Sequence, residues 1–181
     1  MGRWERTHES LRRAAWELFM ERGYDATGTA QIAQRVGVSE VTLFRHYTSK
    51  EALLLEDPFD PVMAEAVRAR PADETPMRSV AEGIRQAWGA MDADAALELR
   101  ERLRLLAATP GLRGAIERNS AMTIEALVGA LADRGVAEVQ ARVAATAVIS
   151  GLSVALLDWA QTESCLVDQA LDAALDVLGG K

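Results

Sequence analysis

Three features of this sequence predict an all-α fold. Apolar residues recur at helical spacing along most of its length, no useful stretch alternates apolar with polar, and glycine or proline falls where the periodic segments end. The 181 residues are 49% apolar, enough for a substantial core, but only 5% aromatic, so that core must be built mainly from Ala, Leu and Val. The single cysteine, Cys165, leaves no intrachain disulfide and fits a reducing compartment. Residues 1–10 hold no apolar run of the kind a secretory signal needs. The longest uncharged stretch, Val143 to Leu157, has 15 residues against the ~20 that span a bilayer. A soluble, cytoplasmic protein with no membrane partner is expected.

The first helix spans 4–22. Leu11, Ala14, Ala15, Leu18 and Phe19 stand at i, i+3, i+4, i+7 and i+8, Arg12, Arg13 and Glu17 face the other way, and Gly23 ends it. Two short helices follow at about 28–36 and 39–47. Ile32, Ala33 and Val36 form the inward stripe of the first, and Gly37 supplies the left-handed residue at its end. Ser39 caps the second by accepting a backbone N–H. Leu43 and Tyr47 turn inward, while Thr42, Arg45 and His46 turn outward. The next helix, 49–57, opens either with the capping box Thr48-x-x-Glu51 or with Ser49 as the cap. Asp57-Pro58-Phe59-Asp60-Pro61 then breaks or kinks it, since neither proline donates a backbone hydrogen bond. Beyond lie a short helix at 62–69, a loop at 70–76, and helices at 77–91, 93–108, 111–134, 136–160 and 165–178. Pro110-Gly111 and Arg134-Gly135 mark two of the boundaries.

A short helix that is apolar behind and donor-rich in front, joined by a tight turn to the helix before it, is a helix-turn-helix suited to the major groove of DNA. The set Ala14-Ala15, Leu18-Phe19, Gly23-Tyr24, Thr27, Ile32-Ala33, Gly37-Val38-Ser39, Thr42-Leu43-Phe44, His46-Tyr47 and Ser49-Lys50-Glu51-Ala52-Leu53 resembles the TetR family of bacterial transcriptional regulators. These positions cover roughly residues 10–55. The resemblance implies a helix-turn-helix DNA-binding domain over 1–50 and a helical ligand-binding and dimerisation domain over 51–181. Phe44 stands where the family often has tyrosine, Glu40 and Val41 where it often has basic and small residues, and Ala30 where it often has a basic one.

Net charge is −7, which argues against a nucleic-acid partner until the chain is divided. Residues 1–50 carry eight Lys/Arg and six Asp/Glu, or +2; residues 51–181 carry twelve and twenty-one, or −9. The acidic excess therefore lies outside the reading head. The expected DNA-contacting residues are Thr27, Thr29, Ser39, Val41, Thr42, Phe44, Arg45, His46 and Lys50. Arg45 can pair bidentately with guanine or hold a phosphate. His46 matches a family position that commonly meets backbone phosphate. Lys50 lies in the first turn of a helix, where free N–H groups already favour an anion. Thr27 and Thr29 could each donate to phosphate, although capping alone explains one of them. Glu40 either favours a helix N-terminus or accepts from cytosine.

The segment 143–160 is apolar almost all round and must be covered all round. With the one-sided last helix it implies a partner surface, for which Ile149, Leu152, Leu156, Val167, Leu171 and Leu178 are the candidates; the resemblance likewise implies a four-helix dimer interface. Trp88, Met91, Arg100, Arg104, Met122 and Trp159 could line a pocket for a small-molecule effector, or simply build the core. Glu5-x-x-His8 has di-iron spacing but lacks the companion ligands such a site needs. No metal site, cofactor or catalytic constellation is expected. The functional expectation is a dimeric, ligand-responsive DNA-binding regulator acting as a repressor on a palindromic operator. The rivals are a same-fold regulator without a small-molecule ligand, and a helical carrier or enzyme with a degenerate motif.

Overall fold

A computed structural model describes residues 2–56, 60–89, 91–162 and 166–179. The elements are α1 Arg3–Arg22, α2 Thr29–Val36, α3 Glu40–His46, α4 Ala52–Leu55, α5 Asp60–Arg68, α6 Pro76–Trp88, α7 Ala93–Ala108, a 3-10 turn Pro110–Leu112, α8 Arg113–Ala132, α9 Glu138–Gln161 and α10 Val167–Gly179. Among the described residues there is no strand, as the periodicity requires. Two compact units result: Met1–Glu56 with Gly111–Ala115, and Asp57–Pro110 with Ile116–Lys181.

In the first unit α1 buries the predicted stripe Leu11, Ala14, Ala15, Leu18 and Phe19 and packs on α2 and α4. At the end of α2, Gly37 adopts φ 76°, its N–H reaching the Gln34 carbonyl while that of Val38 reaches Ala33. The left-handed residue closes the helix and turns the chain within three residues. Ser39 Oγ accepts from the Thr42 N–H at 3.2 Å, and α3 starts there. The following helix is shorter than predicted, Ala52–Leu55 only, and Ser49 accepts the N–H of Ala52. Pro58 and Cys165 lie outside the described residues; Pro61 falls in the first turn of α5, where a missing N–H breaks no helical hydrogen bond.

The second unit is organised by α6 and α9. The former packs against α5, α9 and α10, the latter also against α7 and α10. With few aromatic residues, the helices close up on small ones. A Cβ built on Gly83 of α6 would lie 2.6 Å from Val67 Cγ2 and 3.0 Å from the Val67 backbone nitrogen, so α5 and α6 meet backbone to backbone. Arginines pin the periphery. Arg134 donates to the carbonyls of Val67, Arg70 and Pro71 (2.9, 2.9 and 2.7 Å), satisfying the end of α5. Arg85 of α6 joins Asp172 and Asp176 of α10 at 2.8 and 2.6 Å.

Helix α9 corrects two expectations. By length and composition it is apolar enough to cross a membrane, longer than the uncharged stretch suggested. However, Ala141, Ala144, Ala145, Val148, Ile149, Leu152, Leu156, Trp159 and Ala160 are buried in their own unit. The expected dimer residues Ile149, Leu152, Leu156, Val167 and Leu171 are therefore core, and Leu178 packs beside Gly151. One chain does cover this side of the helix, contrary to the sequence argument, because its alanines let neighbouring helices approach closely.

Two glycine substitutions separate close packing from helix propensity. Gly83→Ala should destabilise the protein by about 1–3 kcal/mol, because the methyl meets the α5 backbone. Gly129→Ala, in the interior of α8 with nothing within 4 Å of the added carbon, should stabilise it by about 0.5–1 kcal/mol. Denaturant unfolding of both variants checks the contrast.

Candidate nucleic-acid interface

The three helices α1–α3 fix which side of α3 is available. Leu43 and Tyr47 are 0% and 1% exposed. The Tyr47 hydroxyl donates to the His8 carbonyl at 3.1 Å and its ring stacks on the His8 ring at 4.2 Å. On the other side Val41, Phe44 and Arg45 project into solvent. Arg45 has no hydrogen bond or ion pair among the described residues. A guanidinium in that state keeps all five donors for an outside acceptor.

The remaining predicted contacts fare differently. Thr29 Oγ1 donates to Glu40 Oε1 at 2.6 Å, joining the starts of α2 and α3, which gives the carboxylate a role beyond capping. Thr42 and Ser39 exchange a hydroxyl hydrogen bond at 3.0 Å. His46 lies beneath Trp4, ring centroids 3.6 Å apart, with His8 at 5.8 Å. Burial, helped by His8, lowers its basicity from the ordinary histidine value, and its Nδ1 is buried without a hydrogen-bond partner among the described residues. Trp4 was not anticipated; its spacing in α1 gave no sign that it would cover α3.

Two expectations are corrected. Thr27 is buried, and its hydroxyl donates to the carbonyls of Leu18 (3.2 Å) and Gly23 (2.9 Å), holding the turn after α1 rather than a phosphate. Lys50 precedes α4 instead of opening it. Its ammonium donates to the Tyr24 carbonyl at 2.6 Å and sits 3.9 Å from the centroid of the Tyr24 ring. Burial lowers its pKa against the pull of Asp25 and Glu51. Both side chains found internal acceptors that only the tertiary fold brings near.

The second unit contains a cavity of about 560 Å³ between α7, α9 and α10. Met91, Arg100 and Trp159, three of the expected pocket residues, line it together with Ala96, Leu97, Leu166 and Val167, and Asp92, Asp168 and Gln169 add polar groups. The Arg100 guanidinium stacks 4.3 Å from the Trp159 ring centroid. The other three expected residues lie elsewhere: Trp88 in the core, Arg104 donating to the Ala160 carbonyl at 2.6 Å, and Met122 exposed on α8. A separate apolar stripe, Val139, Val143, Val154 and Leu157, runs exposed along α9, and Leu166 and Val177 are exposed before and along α10.

This arrangement defines a helix-turn-helix DNA-binding protein with a second helical unit. The family model described as "Bacterial regulatory proteins, tetR family" matches residues 11–56, and that described as "MftR C-terminal domain" matches residues 74–181, well over half the chain. The chain belongs to the TetR family of DNA-binding transcriptional regulators. It is 36% identical over 123 residues to the regulator TcmR of Streptomyces glaucescens, an alignment covering 64% of this chain and 54% of TcmR; the chain thus spans about half the length of that relative. Two solved structures share the fold. NalD, the secondary repressor of the MexAB-OprM multidrug efflux pump in Pseudomonas aeruginosa, aligns with TM-score 0.58 at 23% identity over 96% of this chain and 94% of its own. FadR from Bacillus subtilis, in complex with stearoyl-CoA, aligns with TM-score 0.56 at 19% identity over 95% and 97%.

The half-buried His46 imidazole sets a pH dependence. A histidine whose folded pKa is depressed takes up its proton first in the unfolded chain, so its contribution to stability is complete above about 6.5 and is lost as pH falls through the folded value. Melting of the wild type should therefore fall more steeply below that pH than melting of His46→Gln. Circular dichroism melts of both proteins from about pH 8 to about pH 5.5 make the comparison.

Proposed function

We propose that this protein is a homodimeric, ligand-responsive repressor that occupies a pseudo-palindromic operator in the cytoplasm. The observation that carries the reading is the outward face of α3, where Arg45 stands exposed with no partner among the described residues. Arg45, Val41 and Phe44 enter the major groove, with the Ser39, Thr42 and Thr29 hydroxyls and the His46 ring toward the DNA backbone. Unit one reads DNA; unit two binds the effector and dimerises. Repression is supported by the described role of NalD, which shares the fold.

The dimer uses the other side of α9 from the one the sequence suggested. Val139, Val143, Val154 and Leu157 are exposed along α9, Val177 along the adjacent α10 and Leu166 just before it, and a second copy covers these apolar side chains isologously. The cavity lined by Trp159 and Arg100 is the effector site, taking a small molecule with an apolar body and a polar group. Occupation of the fold by stearoyl-CoA in FadR supports such a site.

Selection of duplexes from a random pool, followed by binding at several salt concentrations, tests the reading. Half-site centres should lie about one helical turn apart, and log affinity should fall with log salt by roughly 0.9 per phosphate neutralised. Arg45→Ala should relax specificity at a defined base pair by about 1–3 kcal/mol. Val154→Glu should yield a folded monomer that has lost operator binding, whereas Leu152→Glu should unfold unit two. A wild type that sediments as a monomer while binding a palindrome with full affinity contradicts the dimer.

Effector action obeys linkage. A ligand that lowers operator affinity must itself bind operator-loaded protein more weakly by the same factor. Titration followed by tryptophan fluorescence, with Trp159→Phe as the control that loses the signal, measures this. Equal ligand affinity for free and operator-bound protein rules out the switch.

A further inference from the structure

The outward face of α3 is apolar on one side of a single arginine. Val41 and Phe44 are 64% and 50% exposed, and with Arg45 they stand at i, i+3 and i+4, forming one patch. The other side chains of the helix are committed: Leu43 to the core, Glu40 to Thr29, Thr42 to Ser39 and His46 to Trp4. Two large apolar side chains are thus held in water beside a cation with no partner among the described residues. Surface apolar residues scattered singly need no explanation, but a contiguous pair around the reading arginine does.

The edges of base pairs in the major groove are donors and acceptors with one exception, the C5-methyl of thymine. Resting on the placement of α3 in that groove, we propose that Val41 and Phe44 are thymine readers. Each covers a thymine methyl, while Arg45 pairs with O6 and N7 of a neighbouring guanine. The chain rises about 6 Å from residue 41 to residue 45 of a helix, close to two base steps of about 3.4 Å. The thymine and guanine positions therefore fall within about two base pairs of each other in every half-site. Apolar side chains on a cytosine or purine edge would strip water from polar atoms and return no hydrogen bond, so the same patch that favours thymine disfavours the alternatives.

Uracil isolates the contact, because it lacks only the methyl and keeps the O4 acceptor and the pairing of thymine. Duplexes enriched from a random pool by the full-length protein are resynthesised with uracil at each thymine in turn. At the positions under Val41 and Phe44 affinity should fall roughly three- to five-fold per methyl, and elsewhere it should not change. Val41→Ala should abolish the uracil effect at one position and Phe44→Ala at another. Both sites are exposed, so both variants should keep the wild-type melting curve. Arg45→Ala should weaken thymine and uracil duplexes by the same factor. Equal wild-type affinity for thymine and uracil at every position overturns the proposal, as does a uracil effect that survives unchanged in both alanine variants. Failure to enrich any duplex overturns instead the placement of α3, so the two failures are told apart.

Discussion

A helix of seven residues does not hold its shape in water, since nucleation fixes several residues for one hydrogen bond and leaves few propagating bonds to recover the loss. α3 exists because Leu43 and Tyr47 are driven out of water on one side of it. Burial of the two contributes at most about 2–3 kcal/mol each, taking the extended chain as reference. The caps then remove what would oppose it: Gly37 ends α2 without steric cost, and Ser39 satisfies an N–H at the start of α3. Tyr47 adds direction to burial. Its hydroxyl reaches the His8 carbonyl of α1 and its ring lies on that of His8, so α3 cannot rotate about its axis without losing both. Every outward side chain inherits its aim from that pair.

The second unit solves a different problem. Long helices are less short of internal hydrogen bonds than of bulky side chains to fill the space between them. Close approach replaces bulk: Gly83 lets α6 meet the α5 backbone, Gly151 receives Leu178 of α10, and the alanines of α9 do the same along its length. Such packing is unforgiving of added volume but leaves room where the small residues stop. The cavity beside Trp159 lies at the end of α9, where the alanines give way to a large side chain stacked with Arg100. Arginines also tie helix ends to carbonyls, through Arg134 after α8 and Arg104 on α7. An arginine-rich composition thus serves structure as much as nucleic acid.

Periodicity made most of the helices legible in the sequence, and the glycine turn with its serine cap made the reading head legible too. What periodicity cannot do is choose a side for a helix that is apolar all round. For α9 the sequence offers the buried set and the exposed valines alike, because both lie on apolar stripes and only the folded chain shows which one it covers itself. The internal hydrogen bonds of Thr27 and Lys50 were illegible for another reason. Their hydrogen-bond acceptors, the carbonyls of Leu18, Gly23 and Tyr24, are brought near by the turn after α1, and no spacing rule reports the direction of a carbonyl. Trp4 was missed on the same ground, since its stacking on His46 joins residues 42 positions apart in sequence.

The division of labour within α3 bears on the second copy in the proposed assembly. After the core, the caps and the Trp4 stack have taken their share, three outward side chains remain to discriminate bases in the proposed placement of α3. One bidentate arginine is worth about 1–3 kcal/mol, and two methyl contacts add about 0.8 kcal/mol each. The total for one head is about 3–5 kcal/mol, around the lower end of the roughly 4–10 kcal/mol that separates specific from non-specific binding. Two heads held at fixed spacing repeat the same contacts and bring the sum to about 5–9 kcal/mol. In the proposed assembly, a dimer surface on α9 and α10 is therefore part of the specificity and not only of the architecture. An effector that altered the spacing would remove half of that energy while leaving each reading face intact.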